Sequence, residues 1–234
     1  MNGINYYRLY KSIKRPIDIQ MLKAAIEYIQ DHNPYNELGL KHREANAFVF
    51  GKEGRKDTSD ILFSGKIKPE HAIQRNIFYN KEKYKEELGE IIGYEVEIPG
   101  DRNTAKVDLL SIKDNVLHLI ELKQCRINEE KNECKESIAR ALLEIITYSS
   151  FVDQEAKENL KIALGSTFDI NQIKLVLLVP KSMADDYISL ASSLNIENHL
   201  KDVEVMTIEA KEDLSNVKTG NTSKKYFKIN PLNF

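Results

Sequence analysis

Cysteine is scarce in this 234-residue chain, and its two cysteines, Cys125 and Cys134, lie outside any Cys-x-x-Cys or paired-histidine spacing. This spacing predicts free thiols, not a disulfide framework or a zinc site. Long apolar runs are missing as well. No stretch approaches the roughly 20 residues that span a bilayer, and the N-terminal segment has no signal-peptide core. The sequence therefore predicts a cytoplasmic protein without a membrane partner.

A strong excess of charge of one sign is also missing. The net charge of −2 excludes a strongly basic protein that coats nucleic acid nonspecifically. The basic residues nevertheless gather at the two ends, and those of the N-terminus alternate with tyrosines: Tyr6, Tyr7, Arg8, Tyr10, Lys11, Lys14 and Arg15. Such a segment can contact phosphates and stack on bases, or it can be a solvated terminus whose tyrosines pack on the core.

Alternating patterns along the chain predict an α/β protein. Helical periodicity covers 18–30, with Asp18 as N-cap, 69–92, with Asn80 as a candidate break, 135–152 and 182–194. Strand patterns cover 93–98, 104–112, 115–123, 172–179 and 203–208. The order α-β-β-β-α-β-α-β predicts a mixed central β-sheet flanked by helices in residues 66–234. Residues 1–65, with a helix and a candidate hairpin at 46–64, are predicted to form an N-terminal appendage.

The stretch VDLLSIKDNVLHLIELK (107–123) reads as two apolar strands that charged residues interrupt. A two-residue turn at Asp114-Asn115 would make Asp108 and Glu121 direct cross-strand neighbours, and Lys123 would project from the same face as Glu121. A three-residue turn would move Asp108 to the opposite face of the sheet. The constellation therefore depends on the turn.

Two opposed carboxylates among aliphatic side chains repel each other unless a cation offsets their charge. Their hard oxygen atoms suit magnesium, with manganese as the alternative ion, because magnesium prefers one or two carboxylates together with water and substrate phosphate. The Lys123 ammonium can orient a metal-bound water or stabilise charge on a transition state. The predicted chemistry is metal-assisted hydrolysis of a phosphodiester, and ordinary salt bridges at a strand end are the competing explanation.

Asp108, followed after twelve residues by Glu121-Leu122-Lys123, resembles the signature of the PD-(D/E)XK nuclease superfamily. The element order around it also resembles that of this restriction-endonuclease-like fold, over about residues 66–210. Val107 stands where the family's proline would stand. The resemblance implies a magnesium-dependent nuclease in which Asp108 and Glu121 bind the metal and Lys123 is the catalytic lysine. DNA is the expected partner, and a homodimer is compatible because cutting both strands commonly needs two active sites.

The resemblance also favours a glutamate at the start of the preceding helix, so Glu70 is chosen as a third metal ligand over Glu87. A continuous helix would favour Glu87, whereas a break near Asn80 would favour Glu70.

Three further residues of the region carry polar or ionisable side chains. Related nucleases often carry Gln-x-x-x-Tyr in the helix after the motif, where this chain has Glu144-x-x-x-Tyr148; a surface ion-pair ladder explains that row equally well. His118 is predicted to pack on the face opposite Glu121.

Two other classes of function remain open from the sequence. A catalytically silent nucleic-acid-binding or assembly module can have the same fold, because a fold does not fix an activity. The chain can also be an α/β protein of protein–protein function, in which the charged residues form structural salt bridges.

Overall fold

A six-stranded mixed β-sheet forms the centre of the protein. The computed structural model describes residues 7, 9–12, 18–34, 69–98, 106–123, 137–165, 170, 172–195, 200–211 and 227–232. The strands are adjacent in chain order: β1 (Glu90–Glu97), β2 (Lys106–Lys113), β3 (Val116–Leu122), β4 (Gln172–Val179), β5 (Val203–Ala210) and β6 (Phe227–Pro231). The first three strands are antiparallel, β3, β4 and β5 are parallel, and β6 is antiparallel to β5. The predicted mixed sheet is confirmed.

Helices cover both faces of this sheet: α1 (Leu9–Ser12), α2 (Ile19–Asp31), α3 (Pro69–Tyr79), α4 (Lys85–Leu88), α5 (Ile138–Ser150), α6 (Gln154–Ala163) and α7 (Lys181–Leu194). Buried side chains of α1, α2, α5, α6 and α7 share one core with Leu110 and Leu119 of the sheet. Those of α3 and α4 share a second core with Leu109 and Ile120. None of the helices in the described ranges is long and apolar enough to cross a membrane.

The N-terminal helix α2 begins where the sequence predicts. The Asp18 side chain accepts a hydrogen bond from Met21 N at 3.1 Å and so caps the helix. Its apolar face packs into the same core as the sheet. Tyr7 and Tyr10 are 4% and 3% exposed, so these two tyrosines pack on the core, as the second interpretation of the basic terminus expects. The candidate hairpin at 46–64, the boundary at residue 65, Cys125 and Cys134 lie outside the described residues.

The candidate break at Asn80 in the predicted helical pattern from 69 to 92 is confirmed, and the pattern is wrong beyond Leu88. Helix α3 ends at Tyr79, Asn80 precedes a short 3₁₀ turn (Lys81–Lys83), and α4 ends at Gly89 with a φ of 79°. A Cβ at Gly89 would lie 2.5 Å from Ile112 O, so only glycine fits this approach to β2. The chain therefore turns into β1 at Glu90. The sequence patterns also missed α1, α6 and β6.

Candidate active site

The hairpin of β2 and β3 has the two-residue turn on which the predicted constellation depends. Asp114 and Asn115 have φ values of 52° and 62°, as a tight hairpin turn requires. Lys113 pairs with Val116, and the ladder continues in this register to Leu109 and Ile120. The predicted register is confirmed, and one further step places Asp108 across from Glu121.

Asp108 lies one residue beyond the last ladder pair of β2 and β3, and its side chain accepts the hydrogen bond that a backbone carbonyl would otherwise accept. Asp108 Oδ2 accepts a hydrogen bond from Leu122 N at 2.8 Å. From α3, Gln74 Nε2 donates to Asp108 O at 2.5 Å and lies 3.4 Å from Asp108 Oδ1. The carboxylate is thus fixed from two elements. The sequence argument missed Gln74, although it follows Glu70 by one helical turn and so shares its face.

Lys123 joins the sheet to α5. Its Nζ donates to Glu121 Oε1 at 2.5 Å and lies 3.2 Å from Glu144 Oε2. Glu121, Lys123 and Glu144 are 2%, 5% and 8% exposed, so the ion pairs are buried. The Tyr148 hydroxyl donates to Glu144 Oε1 at 2.7 Å and is also buried. A surface ion-pair ladder is therefore the wrong explanation for Glu144 and Tyr148, which belong to the site.

Glu70 lies at the site, whereas Glu87 does not. The negative charge of Glu70 acts on both Asp108 and Lys123, and it raises the pKa of each. The backbone of Glu87 accepts from Lys113 Nζ at 3.1 Å, at the turn end of the hairpin. Five residue steps along the strand, roughly 16 Å, separate Lys113 from Asp108. The helix break at Asn80 gives this arrangement, and the role of Glu70 as a metal ligand stays a prediction.

Burial and like charges dominate the electrostatics of the site. Burial raises the pKa of Asp108 to about 8, although the Lys123 ammonium and the Leu122 N–H lower it. Burial, followed by the charge of Asp108, raises the pKa of Glu121 well above its ordinary value. Burial alone would lower the pKa of Lys123, but Glu121, Glu144 and Asp108 together raise it above the ordinary value. Lys123 therefore stays charged at neutral pH, while protons and cations compete for the carboxylates.

The donor set fits a hard divalent cation. Four carboxylates, those of Glu70, Asp108, Glu121 and Glu144, act on the single ammonium of Lys123. Within the described part of the chain, no hydrogen-bond donor reaches Glu121 Oε2, although this atom is buried. As the side chains stand, the described residues contain no group of three or more His, Cys, Asp or Glu arranged around a metal position. The Lys123 ammonium bridges Glu121 and Glu144, and a bound cation would share these carboxylates with it.

His118 lies away from these groups, as predicted. It is 7% exposed and pairs with Ser111, two pairs beyond the Lys113–Val116 pair that closes the turn. Burial, followed by the charge of Lys174, lowers the pKa of His118 to about 4. A neutral, buried histidine on this face acts in packing, not in catalysis.

No family model matches the chain, and no curated protein or solved structure matches it either. Its function is therefore argued from the geometry of its own side chains.

The raised pKa of Asp108 predicts how stability depends on pH. Between its ordinary value of 3.8 and about 8, the folded protein keeps a proton that the unfolded chain has released, so this group makes stability fall as pH rises through that range. We expect magnesium to raise the melting temperature more at about pH 8 than at about pH 5, because protons compete with the metal for the carboxylate. Melting curves with magnesium or with a chelator at several pH values measure this. An equal magnesium effect at every pH would contradict the expectation.

Proposed function

We propose that this protein is a magnesium-dependent nuclease that hydrolyses phosphodiester bonds, with DNA as the preferred substrate. One observation carries the proposal: Asp108, Glu121 and Lys123 meet where β2 and β3 separate, and Glu70 and Glu144 add carboxylates from two helices. The order of the surrounding elements, α3, α4, β1, β2, β3, α5 and β4, agrees with the restriction-endonuclease-like core that the resemblance to the PD-(D/E)XK superfamily implies.

Each residue has a distinct role in this proposal. Asp108 and Glu121, with Glu70, would hold the ion, and Leu122 N and Gln74 orient Asp108 for this purpose. When bound, magnesium supplies Lewis-acid activation of the phosphodiester and of a water molecule. Lys123 orients that water and stabilises negative charge that develops on the phosphate. Glu144 and Tyr148 position the Lys123 ammonium.

The balance of charge supports a site over a set of structural salt bridges. A buried salt bridge offsets the cost of desolvation only when the charges match and the remaining polar atoms are satisfied. Here the charges of four carboxylates act on the Lys123 ammonium, and Glu121 Oε2 has no donor among the described residues. Such a cluster destabilises the fold unless it serves a ligand, since perturbed carboxylates gather at functional sites.

Incubation with plasmid, linear, single-stranded and branched DNA, with magnesium or manganese, tests the proposal. We expect cleavage that a chelator abolishes. The matched control is Asp114→Asn in the turn of the same hairpin, where asparagine tolerates the positive φ and no site residue is touched. Its cleavage should equal that of the original protein. Binding of DNA that survives chelation, without cleavage under any condition, would instead favour a catalytically silent nucleic-acid-binding module.

A further inference from the structure

Helix α3 presents two adjoining faces, and only one of them is used by the site. Because each residue advances about 100° around a helix, Glu70 and Gln74 share the face that reaches Asp108. His71, Phe78, Arg75 and Tyr79 lie on the next sector, away from the buried Ile73 and Ile77. We call this sector, together with Lys81 and Tyr94 of β1, the α3 surface. It begins at the residue that follows Glu70.

Two partly buried rings, Phe78 and Tyr79, lie at the centre of the α3 surface, against the buried ring of Tyr94. The ring centroid of Phe78 lies 4.6 Å from that of Tyr94 and 5.6 Å from that of Tyr79, and the Tyr79 and Tyr94 centroids are 6.3 Å apart. Phe78 and Tyr79 are only partly buried, although aromatic side chains of this size usually contribute to a core. The Lys81 ammonium lies 5.8 Å from the Phe78 centroid. Two partly exposed rings and a cation therefore lie together at one place on the surface.

Arg75 adds a second cation next to the aromatic rings of the α3 surface. Its Nε is buried, and no acceptor in the described part of the chain lies within hydrogen-bonding distance of it. On β1, Glu95 is engaged by His71, with 2.7 Å between Glu95 Oε1 and His71 Nδ1. A guanidinium presents several donors in a planar fork that matches a phosphate group. The half-buried Arg75 brings a second cation to the α3 surface.

The backbone links this surface to the site. Tyr94 pairs with Leu109 and Val96 with Val107, so Glu95 lies across from Asp108 on the neighbouring strand. Glu95 has a φ of 46°, which strains a residue with a side chain, and such strain gathers at functional sites. Through its contact with His71, this strained residue connects α3 to the strand beside Asp108.

We infer that the α3 surface binds a single-stranded segment of nucleic acid and leads it to the site at Asp108. Paired bases are stacked inside a duplex and cannot meet the rings of Phe78 and Tyr79, whereas unpaired bases can stack on them. Arg75 and Lys81 contact the phosphates between the stacked bases. The inference rests on the proposed function, which it deepens by naming the substrate class: strands with unpaired bases, such as single strands, ends and flaps.

Binding without cleavage tests the inference directly. Fluorescence anisotropy in the presence of a chelator compares labelled oligothymidylate and oligouridylate of about 16 nucleotides with a hairpin duplex of the same length. We expect both single strands to bind more tightly than the duplex. Comparing the two single strands shows whether the protein distinguishes deoxyribose from ribose. Tyr79→Leu should weaken single-strand binding by about fivefold to a hundredfold, the usual effect of losing one stacking ring.

Arg75→Ala and Lys81→Ala should each weaken binding. Each lost phosphate contact should also reduce the slope of log binding constant against log salt concentration by about 0.7. Lys81 is exposed, so its variant remains informative if Arg75→Ala does not fold. The matched control is Lys201→Ala, which removes an exposed charge at the opposite end of the parallel strands and should bind as the original protein does.

Two results would overturn the inference. One is single-strand binding that stays unchanged in all three variants. The other is duplex binding as tight as single-strand binding, with the same loss of affinity in the variants. Failure of the proposed function gives a different pattern. Weakened binding in these variants with no cleavage in magnesium would support the α3 surface and reject the nuclease. Cleavage that all three variants retain with unchanged affinity would support the nuclease and reject the surface.

Discussion

Asp108→Asn is expected to lower the rate of magnesium-dependent cleavage by at least about 10³-fold, because a metal ion contributes several kcal/mol to the stabilisation of a charged transition state. The carboxamide oxygen can still accept the hydrogen bond from Leu122 N, so the hairpin keeps its geometry. What is lost is the negative charge. Gel assays of plasmid cleavage, with Asp114→Asn as the matched control, measure the effect.

The same substitution should not destabilise the protein. Above about pH 8, where Asp108 loses its proton, removing its charge from a buried group of like charges relieves repulsion, and each kcal/mol gained would raise the melting temperature by about 2–4 °C for a chain of this size. The rise in melting temperature on adding magnesium should become smaller or disappear, since a ligand that binds only the folded state stabilises it. Undiminished cleavage by Asp108→Asn would remove the basis of the proposed site.

Lys123→Met should destabilise the protein and abolish cleavage together. Removing one partner of a buried ion pair leaves the other charge uncompensated, which costs about 3–5 kcal/mol, and here Glu121 and Glu144 both lose the ammonium. At about 2–4 °C per kcal/mol, the melting temperature should fall by about 6–20 °C at neutral pH. Thermal unfolding followed by circular dichroism measures the loss.

Two comparisons separate this effect from a general cost of losing a lysine. Lys106→Met in the same hairpin breaks the exposed pair of Lys106 with Glu97, so it should cost no more than about 1 kcal/mol. Adding Glu144→Gln to Lys123→Met should recover part of the stability, because one of the stranded charges is removed while Tyr148 keeps an acceptor. The loss should also be smaller in acid, where Glu121 takes up a proton. Equal melting of Lys123→Met and Lys106→Met would show that the buried pairs contribute nothing.

Local chemistry explains why so much of the hairpin was predictable. Asp114-Asn115 tolerates the positive φ that a two-residue turn needs, and the turn fixes the register of every residue that pairs beyond it. Asp18 likewise marks the start of α2, because an N-cap is a local interaction. Prediction failed where the decisive contact joins residues far apart in the chain. The predicted helical pattern extends past Leu88 because the sequence does not show the close approach of Gly89 to Ile112.

By itself, the sequence determined the mixed sheet, the hairpin register and the convergence of Asp108, Glu121 and Lys123, since all of these follow from residue alternation and one short turn. Only the tertiary structure decided that Glu144 and Tyr148 are buried in the site, that Gln74 binds Asp108, and that Glu70, not Glu87, lies beside it. The physical reason is the same in each case. Helical periodicity fixes which residues share a face, but which neighbour that face meets depends on how α3 and α5 pack against the sheet.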